Sequence, residues 1–105
     1  MEEESDIGAI SDFPAGKVVR VSIEGRDCAV AQNEAGALSV FEDNCPHLDL
    51  PIAEGRVEGA FLICPWHGAY FDLETGASQS PLATRPLRKF QSRIAEGRLL
   101  CRLKD

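Results

Sequence analysis

Lys17-Val18-Val19-Arg20-Val21-Ser22-Ile23-Glu24-Gly25-Arg26-Asp27-Cys28-Ala29-Val30-Ala31-Gln32 is the stretch that decides the fold class. Its first half is β-branched and partly alternating, which suits a pleated, half-buried strand. Glu24-Gly25 is a two-residue turn, and the run from Arg26 to Gln32 continues as a second strand, so the pair reads as a β-hairpin. Working outward, Asn33-Glu34-Ala35-Gly36 is the next turn and 37–43 the next strand. Ala60-Phe61-Leu62-Ile63 and Ala69-Tyr70-Phe71-Asp72 are short strands, and Ala95-Glu96-Gly97 joins 87–94 to 98–103 in a late hairpin. No window keeps apolar residues at helical spacing for three turns. Short strands with glycine-bearing turns every 8–12 residues predict an all-β, antiparallel sandwich or barrel.

The chain has 105 residues, 44% of them hydrophobic and 27% charged, enough for one domain over 1–105 with a modest core. Residues 1–6, with three consecutive glutamates, are expected to be a frayed terminus. No apolar run reaches membrane-spanning length, and no basic segment precedes an apolar one, so a cytoplasmic protein without membrane contact is expected. The net charge of -6 argues against nucleic acid as a partner. The charge is lopsided. Residues 1–80 hold four basic and fifteen acidic side chains, residues 81–105 seven basic and two acidic. An acidic end that speeds encounter with a positive partner is one reading, and a solvated surface is the other. Four cysteines in a cytoplasmic setting suggest metal binding before disulfides.

Chemistry concentrates in Cys45-Pro46-His47 and, sixteen residues later, Cys64-Pro65-Trp66-His67, which together use both histidines of the chain. Each pair projects a thiol and an imidazole from one tight loop beside a proline. A zinc Cys₂His₂ site usually pairs cysteine with cysteine in one half and histidine with histidine in the other. Here each half holds one of each. That arrangement suits a two-iron cluster, with Cys45 and Cys64 on one iron and His47 and His67 on the other.

These residues resemble the Rieske [2Fe–2S] signature, in which two histidines replace two cysteines on one iron. Cys64-Pro65-Trp66-His67-Gly68-Ala69-Tyr70-Phe71-Asp72-Leu73-Glu74-Thr75-Gly76 is similar to Rieske ferredoxins and to the Rieske domains of ring-hydroxylating oxygenases. Ser80-Pro81-Leu82 resembles the proline loop that covers the cluster. The resemblance implies a Rieske-type barrel with a small cluster-binding subdomain over about 43–83. It also implies one [2Fe–2S] cluster, with Pro46, Leu48, Pro65, Trp66, Gly68, Ala69 and Pro81 around the four ligands. The respiratory branch carries an extra cysteine in each loop, where this chain has Leu50 and Trp66. That branch also has serine and tyrosine hydroxyls near the cluster sulfurs, where this chain has Ala69 and Phe71. Hydroxyl donors favour the more negative reduced state, so their absence lowers the potential, and Glu42, Asp43 and Asp49 are expected to act the same way. The expected potential is about -150 mV, the low end of the Rieske range.

No dinucleotide loop, paired carboxylates or spare histidine accompanies the constellation. The resemblance therefore implies a non-enzymatic, monomeric one-electron carrier. It would meet a flavin-dependent ferredoxin reductase and a terminal aromatic ring-hydroxylating oxygenase transiently, with His47 and His67 at the exposed electron exit. A small subunit of a nitrite reductase-type complex and a structural zinc-binding interaction module are the alternatives. Metal content separates the last from the first two. Cys28 and Cys101 read as buried strand thiols, and Arg85, Arg88, Lys89 and Arg93 as a solvated basic face.

Overall fold

The computed structural model describes residues 4–33, 35–44, 51–64, 69–79 and 86–102. Among the described residues the strands are β1 (Ser5–Ala9), β2 (Val18–Ile23), β3 (Arg26–Gln32), β4 (Leu38–Glu42), β5 (Arg56–Glu58), β6 (Phe61–Ile63), β7 (Tyr70–Asp72), β8 (Lys89–Ala95) and β9 (Arg98–Arg102). Every strand pairing among the described residues is antiparallel. Six strands form one nearly closed, barrel-like sheet in the order β1-β9-β8-β4-β3-β2. The other three, β5-β6-β7, form a small sheet inserted between β4 and β8. The only described helix is a 3-10 turn at Ile10–Asp12, and no described helix is long and apolar enough to cross a membrane.

Two hairpins follow directly from local chemistry. Glu24 and Gly25 both adopt left-handed backbone (φ 52° and 81°), as do Glu96 and Gly97 (52° and 76°). Two such residues in succession make the turn whose twist matches that of the flanking strands. The expected β2–β3 and β8–β9 hairpins therefore form, with Ile23 opposite Arg26 and Ala95 opposite Arg98.

The residues Cys28 to Ala31 are all fully buried, because β3 has a core on each side. Cys28 and Val30 face the barrel interior with Ile23, Val40, Phe90, Leu99 and Cys101. Ala29 and Ala31, together with Phe41 of β4, face a second core shared with Val57, Leu62, Phe71 and Leu73 of the small sheet and its turns. The methyl groups at 29 and 31 leave room for the Phe41 and Phe71 rings. Ser39, on the same face as Phe41, donates its hydroxyl to the Leu73 carbonyl at 2.8 Å inside this contact. That buried bond contributes about 1 kcal/mol.

Of the six residues expected to fray, Met1, Glu2 and Glu3 lie outside the described residues, and Glu4, Ser5 and Asp6 are instead held in place. Ser5 and Asp6 pair with Cys101 and Leu100 of β9. Arg93 grips Glu4 through two nitrogens at 2.8 and 2.7 Å, and Arg98 holds Asp6 at 3.1 Å. These arginines hold both carboxyls below their ordinary range through direct hydrogen bonds. Acids of the amino-terminal stretch thus sit on bases of the carboxy-terminal one. β1 has no strand pattern of its own; β9 supplies it with a partner. β5 likewise holds only Val57 as a buried residue between two exposed charges.

Burial pushes the Cys101 thiol up to about 11, with Cys28 adding to the effect. An unfolded thiol loses its proton near pH 8.5. Between these values the unfolded chain binds fewer protons than the folded one, so stability falls as pH rises. Urea melts are expected to show stability declining from about pH 9 to about pH 11, with a shallower decline in Cys101→Ala; equal slopes would refute the burial argument.

Candidate metal centre

The small sheet carries Cys64 at the end of β6 and Ala69 just before β7. Of the residues singled out in the sequence, Cys64 and Ala69 are described. Cys45, Pro46, His47, Leu48, Pro65, Trp66, His67, Gly68 and Pro81 lie outside the described residues, as do Asp49, Leu50, Leu82 and Arg85.

Cys64 follows β6 directly and is 1% exposed. Its N–H donates to the Ala69 carbonyl at 2.7 Å, which continues the β6–β7 ladder and closes the base of the loop 65–68. Ala69 and Phe71 are both fully buried in the core that contains Cys64. They present a methyl group and a phenyl ring, so neither brings a hydroxyl to this face. Ile52, Leu62 and Leu73 complete the apolar backing.

The turn after β7 is held by its own side chains. Asp72 accepts from the N–H groups of Glu74 and Thr75 at 2.7 and 3.2 Å. Gly76 donates to the Asp72 carbonyl at 2.7 Å and accepts from Leu87 N–H at 2.8 Å. Its φ of 81° and the 2.7 Å that would separate an added Cβ from the Leu87 carbonyl oxygen both require glycine. The sequence Asp72-Leu73-Glu74-Thr75-Gly76 is therefore a capped turn, and it ties the small sheet to the chain that leads into β8.

The segment carrying Cys45 and His47 leaves β4 at Asp43 and returns at Pro51. Asp43 accepts from Ala53 N–H at 2.8 Å with one carboxylate oxygen and from Arg20 Nε at 2.7 Å with the other. Its carboxylate holds the Arg20 guanidinium above its ordinary value. Glu42 has Arg88 at 3.8 Å. Two of the three acids expected to lower the potential are thus matched by arginines, and their electrostatic effect is smaller than the sequence alone suggests. The returning leg then lies against the approach to Cys64. Gly55 donates to Ile52 O at 2.9 Å, and an added Cβ at Gly55 would stand 2.1 Å from Ile63 O.

Sequence reasoning missed Asp43, Arg20 and Gly55 as structural supports of this region; only the position of Asp43 two residues before Cys45 hinted at it. Arg88, Lys89 and Arg93 of the expected solvated basic face are exposed and also make contacts. Arg88 lies over the Phe90 ring at 5.5 Å, Lys89 donates to the Glu74 carbonyl, and Arg93 holds Glu4.

A [2Fe–2S] group of the kind the sequence suggests fits what is described. The Cys64 sulfur, 1% exposed and set beside an apolar core, is of a residue type that ligates iron as a thiolate. Phe71, Leu62 and Ile52 supply a dry backing behind it.

Comparison with known proteins bears on the same region. The family model for the Rieske [2Fe-2S] domain matches residues 3–91. The ferredoxin CarAc of Metapseudomonas resinovorans is 32% identical over 89 residues, 85% of this chain and 83% of that protein. The 4beta-methylsterol monooxygenase of Methylococcus capsulatus is 46% identical over 56 residues, which are 53% of this chain and 15% of that larger protein. A solved complex of reduced oxygenase and oxidized ferredoxin in carbazole 1,9a-dioxygenase contains a similar chain. It superposes with a TM-score of 0.86 at 29% identity, covering 97% of this chain and 94% of that one.

Gly55→Ala is expected to push the 51–55 leg away from β6, because neither flanking backbone atom can yield as a flexible side chain would. Overpacking of this kind costs about 1–3 kcal/mol. A lowered melting temperature with reduced iron per chain is the expected result; wild-type values of both would show that the leg relaxes freely.

Proposed function

The chain belongs to the Rieske [2Fe–2S] domain family, and from that premise we propose that it is a one-electron carrier of a multicomponent oxygenase system. Its cofactor is a Rieske-type [2Fe–2S] cluster. When bound, that cluster supplies reversible one-electron transfer. We assign Cys45 and Cys64 as the thiolate ligands and His47 and His67 as the imidazole ligands.

The observation that carries this reading is the match to ferredoxins in sequence and fold: CarAc aligns over 85% of this chain and 83% of its own length, and a chain of the carbazole dioxygenase complex superposes over 97% and 94%. The match to the sterol monooxygenase is of another kind: it covers a small part of a much larger protein. A carrier needs a buried centre close to one surface, and a small sheet on the flank of a barrel supplies that geometry. Cys64 is shielded behind by Ile52, Leu62 and Phe71, and the Cys64 N–H to Ala69 bond fixes the loop base. In this reading His47 and His67 form the electron exit, since an imidazole edge can donate to a partner's carboxylate.

In this reading the electron comes from a flavin-dependent reductase and passes to a terminal ring-hydroxylating oxygenase. Both encounters are transient, and the carrier is a soluble cytoplasmic monomer. The ferredoxin in the carbazole dioxygenase complex supports the oxygenase side of the assignment.

The decisive experiment is metal and sulfide analysis of the purified protein with an EPR spectrum after dithionite reduction. Two irons and two acid-labile sulfides per chain with a Rieske-type signal are expected; one zinc and no colour would end the proposal. Ala69→Ser introduces a hydroxyl donor beside Cys64. Its midpoint potential is expected to rise, because a donor to a cluster sulfur favours the reduced state. An unchanged redox titration would refute the hydrogen-bond account of the low potential.

A further inference from the structure

Asp43 is the point at which three separate segments meet. Its side chain is 2% exposed, and both carboxylate oxygens are used. One takes the Ala53 N–H at 2.8 Å and the other the Arg20 Nε–H at 2.7 Å. Its own N–H donates to Asp27 O at 3.1 Å, extending the β3–β4 ladder by one bond. Arg20 lies on β2, opposite Ala29 of β3, and its guanidinium also stands 3.9 Å from Glu54. A single carboxylate therefore joins the exit of β4, the returning leg at 53–54 and a barrel strand two places away in the sheet.

Burying a carboxylate is unfavourable unless it is ion-paired and its oxygens are hydrogen-bonded, and here both conditions hold. The stretch 44–52, which carries Cys45 and His47, begins and ends at this residue. Beyond Ala53 the chain reaches Gly55, whose close approach to Ile63 O sets the returning leg against the residue before Cys64. The Asp43 contacts thus tie the two described ends of this stretch, at Asp43 and Ala53, to each other and to β2, and Gly55 packs against the Ile63 carbonyl, one residue before Cys64.

We propose that Asp43, held by Arg20, is the positioning residue of the cluster site: its carboxylate closes the loop that carries Cys45 and His47 and holds it in register with Cys64. This rests on the four-ligand assignment above. Asp43 touches no reacting atom in this role; it acts through the backbone at Ala53. Asparagine keeps an oxygen for the Ala53 N–H but turns an amide N–H₂ toward the guanidinium. Alanine removes both contacts. Arg20→Gln keeps the Ala53 contact and takes away the counter-charge.

The test uses the full-length, cluster-loaded protein with Asp43→Ala, Asp43→Asn and Arg20→Gln. Iron loss to an excess of chelator is timed for each, and EPR spectra of the dithionite-reduced proteins are compared. Iron loss is expected to be fastest in Asp43→Ala, at least tenfold faster than wild type. The other two should fall between, each having lost one contact. EPR lines should broaden in the same order. If Asp43→Ala fails to fold, the two single-contact variants still decide. Wild-type rates and superimposable spectra in both would overturn the inference while leaving the ligand assignment intact. A wild-type protein without a two-iron signal would instead refute the assignment, and this inference with it.

Discussion

Burial of β3 and β4 on both faces is the constraint on which the rest of the molecule depends. A sheet in a small barrel usually presents one face to the interior and the other to water. Here the outer face of these two strands is the floor of a second core, roofed by the three-stranded sheet that leads to Cys64. The alternation along β3 serves both sides at once. Cys28 and Val30 fill the barrel, while Ala29 and Ala31 keep the outer surface low enough for Phe41 and Phe71 to pack. Larger side chains at 29 or 31 would lift the small sheet off the barrel, and the loops it carries would move with it.

Electrostatics around the site is local and compensated. The chain is acidic overall, and the acids near the site read in sequence as an uncompensated negative field. In three dimensions Asp43 has Arg20 and Glu42 has Arg88. The same holds at the opposite edge of the sheet, where Glu4 and Asp6 meet Arg93 and Arg98. Charge that is segregated along the chain is interleaved on the folded surface. Surface pairs of this kind contribute little each to stability. The buried Asp43 contact differs because its alternative is an unsolvated carboxylate.

Much of this was legible from residues alone, for identifiable reasons. Glu24-Gly25 and Glu96-Gly97 encode their hairpins locally, since few residue pairs accept two left-handed conformations in succession. The Cys-x-His and Cys-x-x-His spacing points to the Rieske [2Fe–2S] family, which the family match over residues 3–91 bears out. What escaped was non-local. β1 contains Asp6 and Gly8, both poor strand formers, and becomes a strand only because β9 offers an edge. β5 is three residues long with two charged ends. The junction at Asp43 joins residues 20, 43 and 53, and no periodicity relates them. Gly55 resembles any turn glycine until the Ile63 carbonyl is seen beside it.

The small sheet leaves the barrel after β4 and re-enters at β8, and those two strands are neighbours, with Val40 opposite Phe90. Topologically, everything between them is one oversized hairpin loop whose stem the barrel already holds together. Closing a longer loop adds entropy only logarithmically. The loops of such an excursion can vary in length at little entropic cost while its sheet stays packed on β3 and β4. A related segment accordingly makes up 83% of the ferredoxin CarAc but only 15% of the sterol monooxygenase.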